Sequence, residues 1–145
     1  MKIKYIIGEK YTEPEVHFCV KERSRETEEL YGAIEKLLEL RIVGCRGQES
    51  EILSPAQIVR IYSESKKVYA RTAEERYEIK ERLYVLEEML REQKFVRISN
   101  SELVNVQQIE KLDMSYAGTI QMKMRNGDVT YVSRRFVRKI KEVLH

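Results

Sequence analysis

The stretch that decides the fold is residues 94–140, KFVRISNSELVNVQQIEKLDMSYAGTIQMKMRNGDVTYVSRRFVRKI. Phe95, Val96 and Ile98 make one strand segment, and residues 103–112, LVNVQQIEKL, make a second. Residues 119–124 then alternate polar and apolar, which puts Ile120, Met122 and Met124 on one inward face. Asn126-Gly127 joins that strand to VTYVS, because Asn-Gly tolerates the positive φ of a two-residue hairpin turn. Ser133 can cap a closing helix whose core face carries Phe136, Val137, Ile140, Val143 and Leu144. The reading is short antiparallel strands followed by a basic helix.

Outward from there, the preceding residues continue the pattern. Leu83, Leu86 and Leu90 mark a short amphipathic helix. Before it come the strand EIL, a break at Ser54-Pro55, a strand holding Ile58, Val59 and Ile61, and a polar hairpin loop over 63–67. Val68 to Ala70 begin the returning strand, residues 71–75 turn again, and RYEI follows. The polar RGQESE at 46–51 is the expected domain boundary, giving an N-terminal extension over 1–48 and a main domain over 49–145. The extension reads as ββαβ: strands at 3–7 and 15–20, a helix capped by Thr27 with Leu30, Ile34, Leu37 and Leu38 on one face, and a strand at 41–45. The fold class is mainly β with short helices, preceded by this small α+β unit.

Composition narrows the function. A chain of 145 residues, 42% apolar and 35% charged, builds one core, or one core and a small accessory unit. No apolar run approaches the roughly 20 residues needed to cross a bilayer, and Tyr5–Ile7 is too short for a signal-peptide core, so the default location is the cytoplasm. Two cysteines and two histidines without CxxC argue against a zinc site. Cys19 and Cys45 read as buried or half-buried thiols, with a redox pair open if segments 15–20 and 41–45 are neighbouring strands. No nucleotide-binding, metalloprotease or nucleophile-elbow motif occurs, so neither an enzyme nor a cofactor is expected. His17 and Cys19 share a strand face, but nothing orients the imidazole.

Charge is uneven. Residues 94–145 hold ten Lys/Arg and five Asp/Glu, whereas residues 1–93 hold seventeen and nineteen. The C-terminal third is therefore the face for a polyanion. Arg97 and Asn100 flank Ile98-Ser99, Lys66 and Lys67 lie in a hairpin loop, and Arg134, Arg135, Arg138, Lys139 and Lys141 follow Ser133. Arg grips guanine and Asn pairs with adenine in the major groove, while Lys and hydroxyls mostly hold phosphate. The bland alternative is a solvated basic helix.

Residues 50–144 resemble a LytTR-type DNA-binding domain. The family's F-x-R-x-x-x-S-x-x-V-N pattern is matched at Phe95, Arg97, Ser101, Val104 and Asn105, the S-R-R segment at 133–135, and the leucine helix at Leu83, Leu86 and Leu90. The resemblance implies an elongated β core whose inter-strand loops enter successive major grooves of double-stranded DNA. It puts base readers at Asn100 and Arg135. The third reading loop, which often holds His in the family, here reads Ser65, Lys66 and Lys67. Arg97, Ser133, Arg134, Arg138 and Lys139 are expected at phosphates, with a strand-bridging role as the second reading of Arg97 and a turn-satisfying amide as that of Asn105. The resemblance further implies a short transcription regulator without a receiver domain. It is expected to act as a homodimer, joined through Leu30, Leu37 and Leu38 or a strand edge, with a membrane protein as a possible regulator. The rival is a protein-interaction module or anti-activator without an operator.

Overall fold

The structure is a computed structural model that describes the chain except Glu13, Glu39, Tyr116, Ala117 and His145, together with the side chain of Leu37. The expected roles of Leu37 thus lie outside the described residues, as does the terminal His145. Two compact units are present, Met1–Glu39 and Leu40–His145.

The smaller unit is built on helix α1, Arg25–Leu38. It starts earlier than the expected Thr27 cap. The Ser24 hydroxyl accepts from the Thr27 N–H at 3.1 Å, and the Thr27 hydroxyl accepts from the Ser24 N–H at 2.8 Å. These reciprocal bonds satisfy two donors at the helix start. Phe18 packs near Tyr31, with ring centroids 6.1 Å apart. The expected strands at 3–7 and 15–20 do not form, so the extension is not ββαβ. A lone hairpin is marginal in water without a layer to cover it, and Ile3, Tyr5, Ile6, Ile7 and Val16 are exposed.

In the larger unit β1 (Ile42–Arg46) pairs antiparallel with β2 (Glu49–Leu53) across a tight turn at Gly47, where φ is +60°. The polar stretch 46–51 therefore covers the end of β1, the turn at Gly47-Gln48 and the start of β2, and the compact units divide ahead of it. Gly44 is obligatory there: a Cβ would sit 2.7 Å from the Tyr77 Cβ and 2.8 Å from Leu53 Cδ1. Next come β3 (Arg60–Glu64), β4 (Lys67–Arg71), β5 (Arg76–Ile79), α2 (Leu83–Met89), β6 (Phe95–Ser99) and β7 (Glu102–Asn105). They complete an antiparallel seven-stranded sheet in the order β2-β1-β5-β4-β3-β7-β6. A second sheet, β10-β9-β8, holds β8 (Ile109–Asp113), β9 (Ile120–Met124) and β10 (Val129–Val132), and α3 (Arg134–Leu144) closes the chain.

Two cores result. Ile42, Leu53, Ile58, Ile61, Ile79 and Leu103 pack with Leu83, Leu86 and Leu90 of the α2 region. Val59, Val96, Ile98 and Val104 pack with Ile120, Met122, Met124, Val132 and Ile140 from the small sheet and α3. Every residue of β7 is buried, and the neighbours Leu103 and Val104 enter opposite cores. A strand covered on both faces reads as a continuous apolar run.

Three local expectations change. Segment 103–112 is two strands in different sheets. The Asn105 side chain accepts from the Gln107 N–H at 3.0 Å, and a single 3-10 turn, Val106–Gln108, redirects the chain. The Asn126-Gly127 hairpin forms, but through a three-residue loop: the Gly127 N–H donates to the Met124 carbonyl, the Met124 N–H to the Asp128 carbonyl, and only Gly127 has positive φ. A type I turn closed by a left-handed glycine gives this geometry. Val143 is exposed rather than core-facing, because it lies at the flank of the stripe formed by Phe136, Val137, Ile140 and Leu144.

Candidate nucleic-acid interface

Three chain segments meet at one end of the larger unit. The first is the β3–β4 turn. Ser65 and Lys66 have φ of +50° and +66°, the mirror-image turn that matches strand twist, and both are exposed. Lys67 opens β4, and its ammonium lies 3.7 Å from Glu78. The second is the β6–β7 turn at Asn100-Ser101. Asn100 is exposed at its tip. The third is the junction of β10 with α3, which carries Ser133, Arg134 and Arg135.

Backbone bonds tie the segments together. The Ser63 N–H donates to the Ser101 carbonyl at 2.8 Å, joining the first to the second. The Ser133 N–H donates to the Ile98 carbonyl at 2.9 Å, fixing the start of α3 beside the residues that lead to Asn100. An open groove between them is lined by Tyr62, Arg76, Ser99, Ser101, Thr130 and Tyr131.

The expected residues fall into distinct settings. Arg135 is exposed, with its guanidinium 5.2 Å from the Phe136 ring. Arg134, Arg138 and Lys139 are exposed on the helix face away from Ile140, Arg138 lies 3.5 Å from Glu142, and Arg134 rests against Gly118. This basic face stands at a helix N-terminus, whose free N–H groups also favour anions. Arg97 differs. Its guanidinium donates to the Ser99 carbonyl at 2.8 Å, to Glu87 at 2.9 Å and to the Asn100 carbonyl, and its side chain is 18% exposed. These bonds are made within the protein and brace the turn that presents Asn100. Asn105 is buried, donating to the Ile58 carbonyl at 3.0 Å while accepting from Gln107. It is a structural amide.

Of the two cysteines, only Cys19 departs from the expected burial. Cys19 is exposed and Cys45 half-buried, both as free thiols. The strand neighbours of β1 are β2 and β5, so the strand pairing that would have joined the two thiols is not made.

Sequence reading passed over a charged cluster beneath the turns. The Arg60 Nε donates to Asp128 Oδ2 at 2.8 Å, and one terminal nitrogen donates to Glu102 Oε1 at 2.6 Å. The Thr130 hydroxyl donates to the other Glu102 oxygen, and Arg71 lies 3.5 Å from Asp128. Burial opposes ionisation of Asp128, but the Arg60 hydrogen bond and charge, then Asn126 and Arg71, hold its carboxyl below the usual range. Burial likewise opposes the charge of Arg60, and its two carboxylate partners outweigh it. The partners stand 42 and 68 residues away in sequence, so no local pattern announces them. The one signal was an Arg inside the otherwise apolar IVRIY.

Among the described residues no group of side chains is placed to hold a metal ion, and no helix is long and apolar enough to cross a membrane.

Comparison with known proteins agrees with this fold. The LytTr DNA-binding domain model matches residues 48–145. An uncharacterized HTH-type transcriptional regulator of Staphylococcus aureus strain MSSA476 is 33% identical over 145 residues, covering 99% of this chain and 98% of the relative. A counterpart from strain NCTC 8325 is 32% identical over the same span. Among solved structures, a LytTr DNA-binding domain from Bacillus cereus superposes with a TM-score of 0.69 at 21% identity, over 72% of this chain and 95% of that one. The HTH label of the relatives does not describe this architecture, since strands separate each pair of consecutive α-helices. On the family match and the coverage of its relatives, the chain belongs to the LytTr DNA-binding domain family.

Proposed function

We propose that the chain is a transcription regulator that reads major-groove base edges with its inter-strand turns. The observation that carries the reading is the convergence of the three turn segments, tied by the Ser63–Ser101 and Ser133–Ile98 bonds. Asn100 and Arg135 are the base readers, and Ser65, Lys66 and Lys67 form a third contact. Ser133, Arg134, Arg138 and Lys139 hold phosphates. Arg97, bound within the protein, positions the Asn100 turn instead of holding phosphate.

The protein acts as a homodimer on two half-sites. The exposed Ile3, Tyr5, Ile6, Ile7 and Leu38 of the smaller unit support an association surface there.

The test is binding to the protein's own promoter region against a scrambled duplex at two salt concentrations. Selective binding that survives the higher salt is expected. Asn100→Ala and Arg135→Ala should each cost about 1–3 kcal/mol in specific affinity with the fold intact. Wild-type affinity in either variant removes that residue from the reading set. Equal, salt-sensitive binding to both duplexes would favour an interaction module without an operator.

A further inference from the structure

The turns that read DNA must be held at a fixed spacing, because adjacent base contacts tolerate little displacement. Two of them belong to different sheets. Asn100 rides on the large sheet, and Arg135 follows the last strand of the small one. A polar side-chain cluster of Arg60, Glu102, Asp128 and Thr130 lies between these sheets, beside the Ser133–Ile98 backbone bond and the Asn126 side-chain bond to the Thr72 carbonyl.

Its geometry joins the positions that matter. Glu102 opens β7 directly after Asn100-Ser101. Thr130 lies on β10, which runs without interruption into Ser133 and α3. Asp128 stands at the loop that precedes β10. Arg60 uses two nitrogens to hold carboxylates from both sheets, and its own charge is placed over the Tyr62 ring at 4.3 Å. The side chains of Arg60 and Glu102 are only 20% and 8% exposed. Apolar packing already joins the sheets through Val96, Val104, Met122 and Val132. A buried ion pair adds little net stability over such packing, but its directional bonds fix one register.

We propose that Arg60, Glu102, Asp128 and Thr130 form a positioning clamp that sets the spacing between the Asn100 turn and the Arg135 helix start, and so governs discrimination among DNA sequences. This inference rests on the base-reading assignment of Asn100 and Arg135. The four residues act through the two turns they join. The clamp acts on specific binding alone, and the phosphate contacts that supply non-specific affinity remain.

The test uses the full chain and the tightest duplex selected from a random-sequence pool, with a scrambled duplex of equal composition as the reference. Thr130→Val removes the hydroxyl without changing shape, and Arg60→Lys keeps the charge but loses the fork. Both should lower the specific-to-scrambled affinity ratio by about tenfold, the scale of one misplaced base contact, with the salt slope unchanged. Thr130→Ser, which retains the hydroxyl, should restore the ratio. Combining Thr130→Val with Asn100→Ala should cost less than the two single losses together, since both remove one contact. Wild-type discrimination in folded Thr130→Val and Arg60→Lys, beside clear loss in Asn100→Ala and Arg135→Ala, overturns the clamp alone. Wild-type discrimination in Asn100→Ala and Arg135→Ala overturns the base-reading assignment and the clamp with it. A lower melting temperature with an unchanged ratio also counts against the clamp, because it assigns the cluster to stability only.

Discussion

Arg97 and Asp128 show how charged side chains divide between solvent and scaffold. The exposed cations of α3 have at most a neighbouring carboxylate at 3.5 Å, whereas Arg97 spends its donors on two turn carbonyls and Glu87. Asp128 is held ionised by Arg60 and Arg71 against the cost of burial. Its folded value lies below the ordinary 3.8, so the stability it contributes is complete above that value and is lost as pH falls through the lower folded one. Asp128→Asn should destabilise the protein at neutral pH by about 1–3 kcal/mol. It should also flatten the acid limb of stability. Urea midpoints measured from neutrality down to about pH 2.5 check this, with parallel curves for the two proteins as the contrary result. At this scale the family pattern singled out Asn100 and Arg135, and both side chains are exposed in the structure. It could not separate Arg97 as a brace from Arg97 as a phosphate contact, because only the folded turn brings two carbonyls to its guanidinium.

At the scale of elements, alternation and turn chemistry located most strands of the larger unit. Ile120, Met122 and Met124 are all buried, as their spacing demands. Turn type was harder to read. Asn126-Gly127 looks like a two-residue turn yet sits in a three-residue loop, while the true two-residue turn is Ser65-Lys66, with neither Asn nor Gly. Strand register overrode local preference in both places. Left-handed backbone costs about 1–2 kcal/mol at an ordinary residue. Replacing Ser65-Lys66 by Asn-Gly should therefore raise stability by about 1 kcal/mol. If Lys66 holds a phosphate, the same change should reduce the salt slope of DNA binding by about 0.9. Denaturant melts and a salt titration of the one variant read both effects, and a more stable variant with an unaltered slope would take Lys66 out of the contact set.

On the scale of the whole molecule, the sequence separated a small leading segment from a DNA-binding domain with a boundary at 48/49, close to the start of the family match at residue 48, whereas the compact units divide after Glu39. The polar 46–51 stretch resembles a linker because turns and linkers share composition. Only the pairing of β1 with β2 and β5 shows that it lies inside a sheet. The same pairing predicts how the chain can be divided. A fragment of residues 40–145 should fold and bind DNA as a monomer, whereas one of residues 49–145 loses β1, bares the edge of β5 and uncovers Leu53 and Tyr77. Circular dichroism melts and sedimentation of both fragments check the order. Equal melting temperatures would deny β1 its structural place, and a dimeric 40–145 fragment would move the association surface into the larger unit.

Strand β7 has a consequence for how the domain can fail. Leu103 anchors one core and Val104 the other, while Glu102 accepts from Arg60 and Asn105 donates to the Ile58 carbonyl just ahead of it. Neither hydrophobic layer can loosen without pulling on the peptide that anchors its opposite. The larger unit should therefore melt in one step, and coincident melts followed by tyrosine fluorescence and by circular dichroism check this, with two separated transitions as the contrary result. The turns at Asn100 and at the start of α3 would then be present together or lost together.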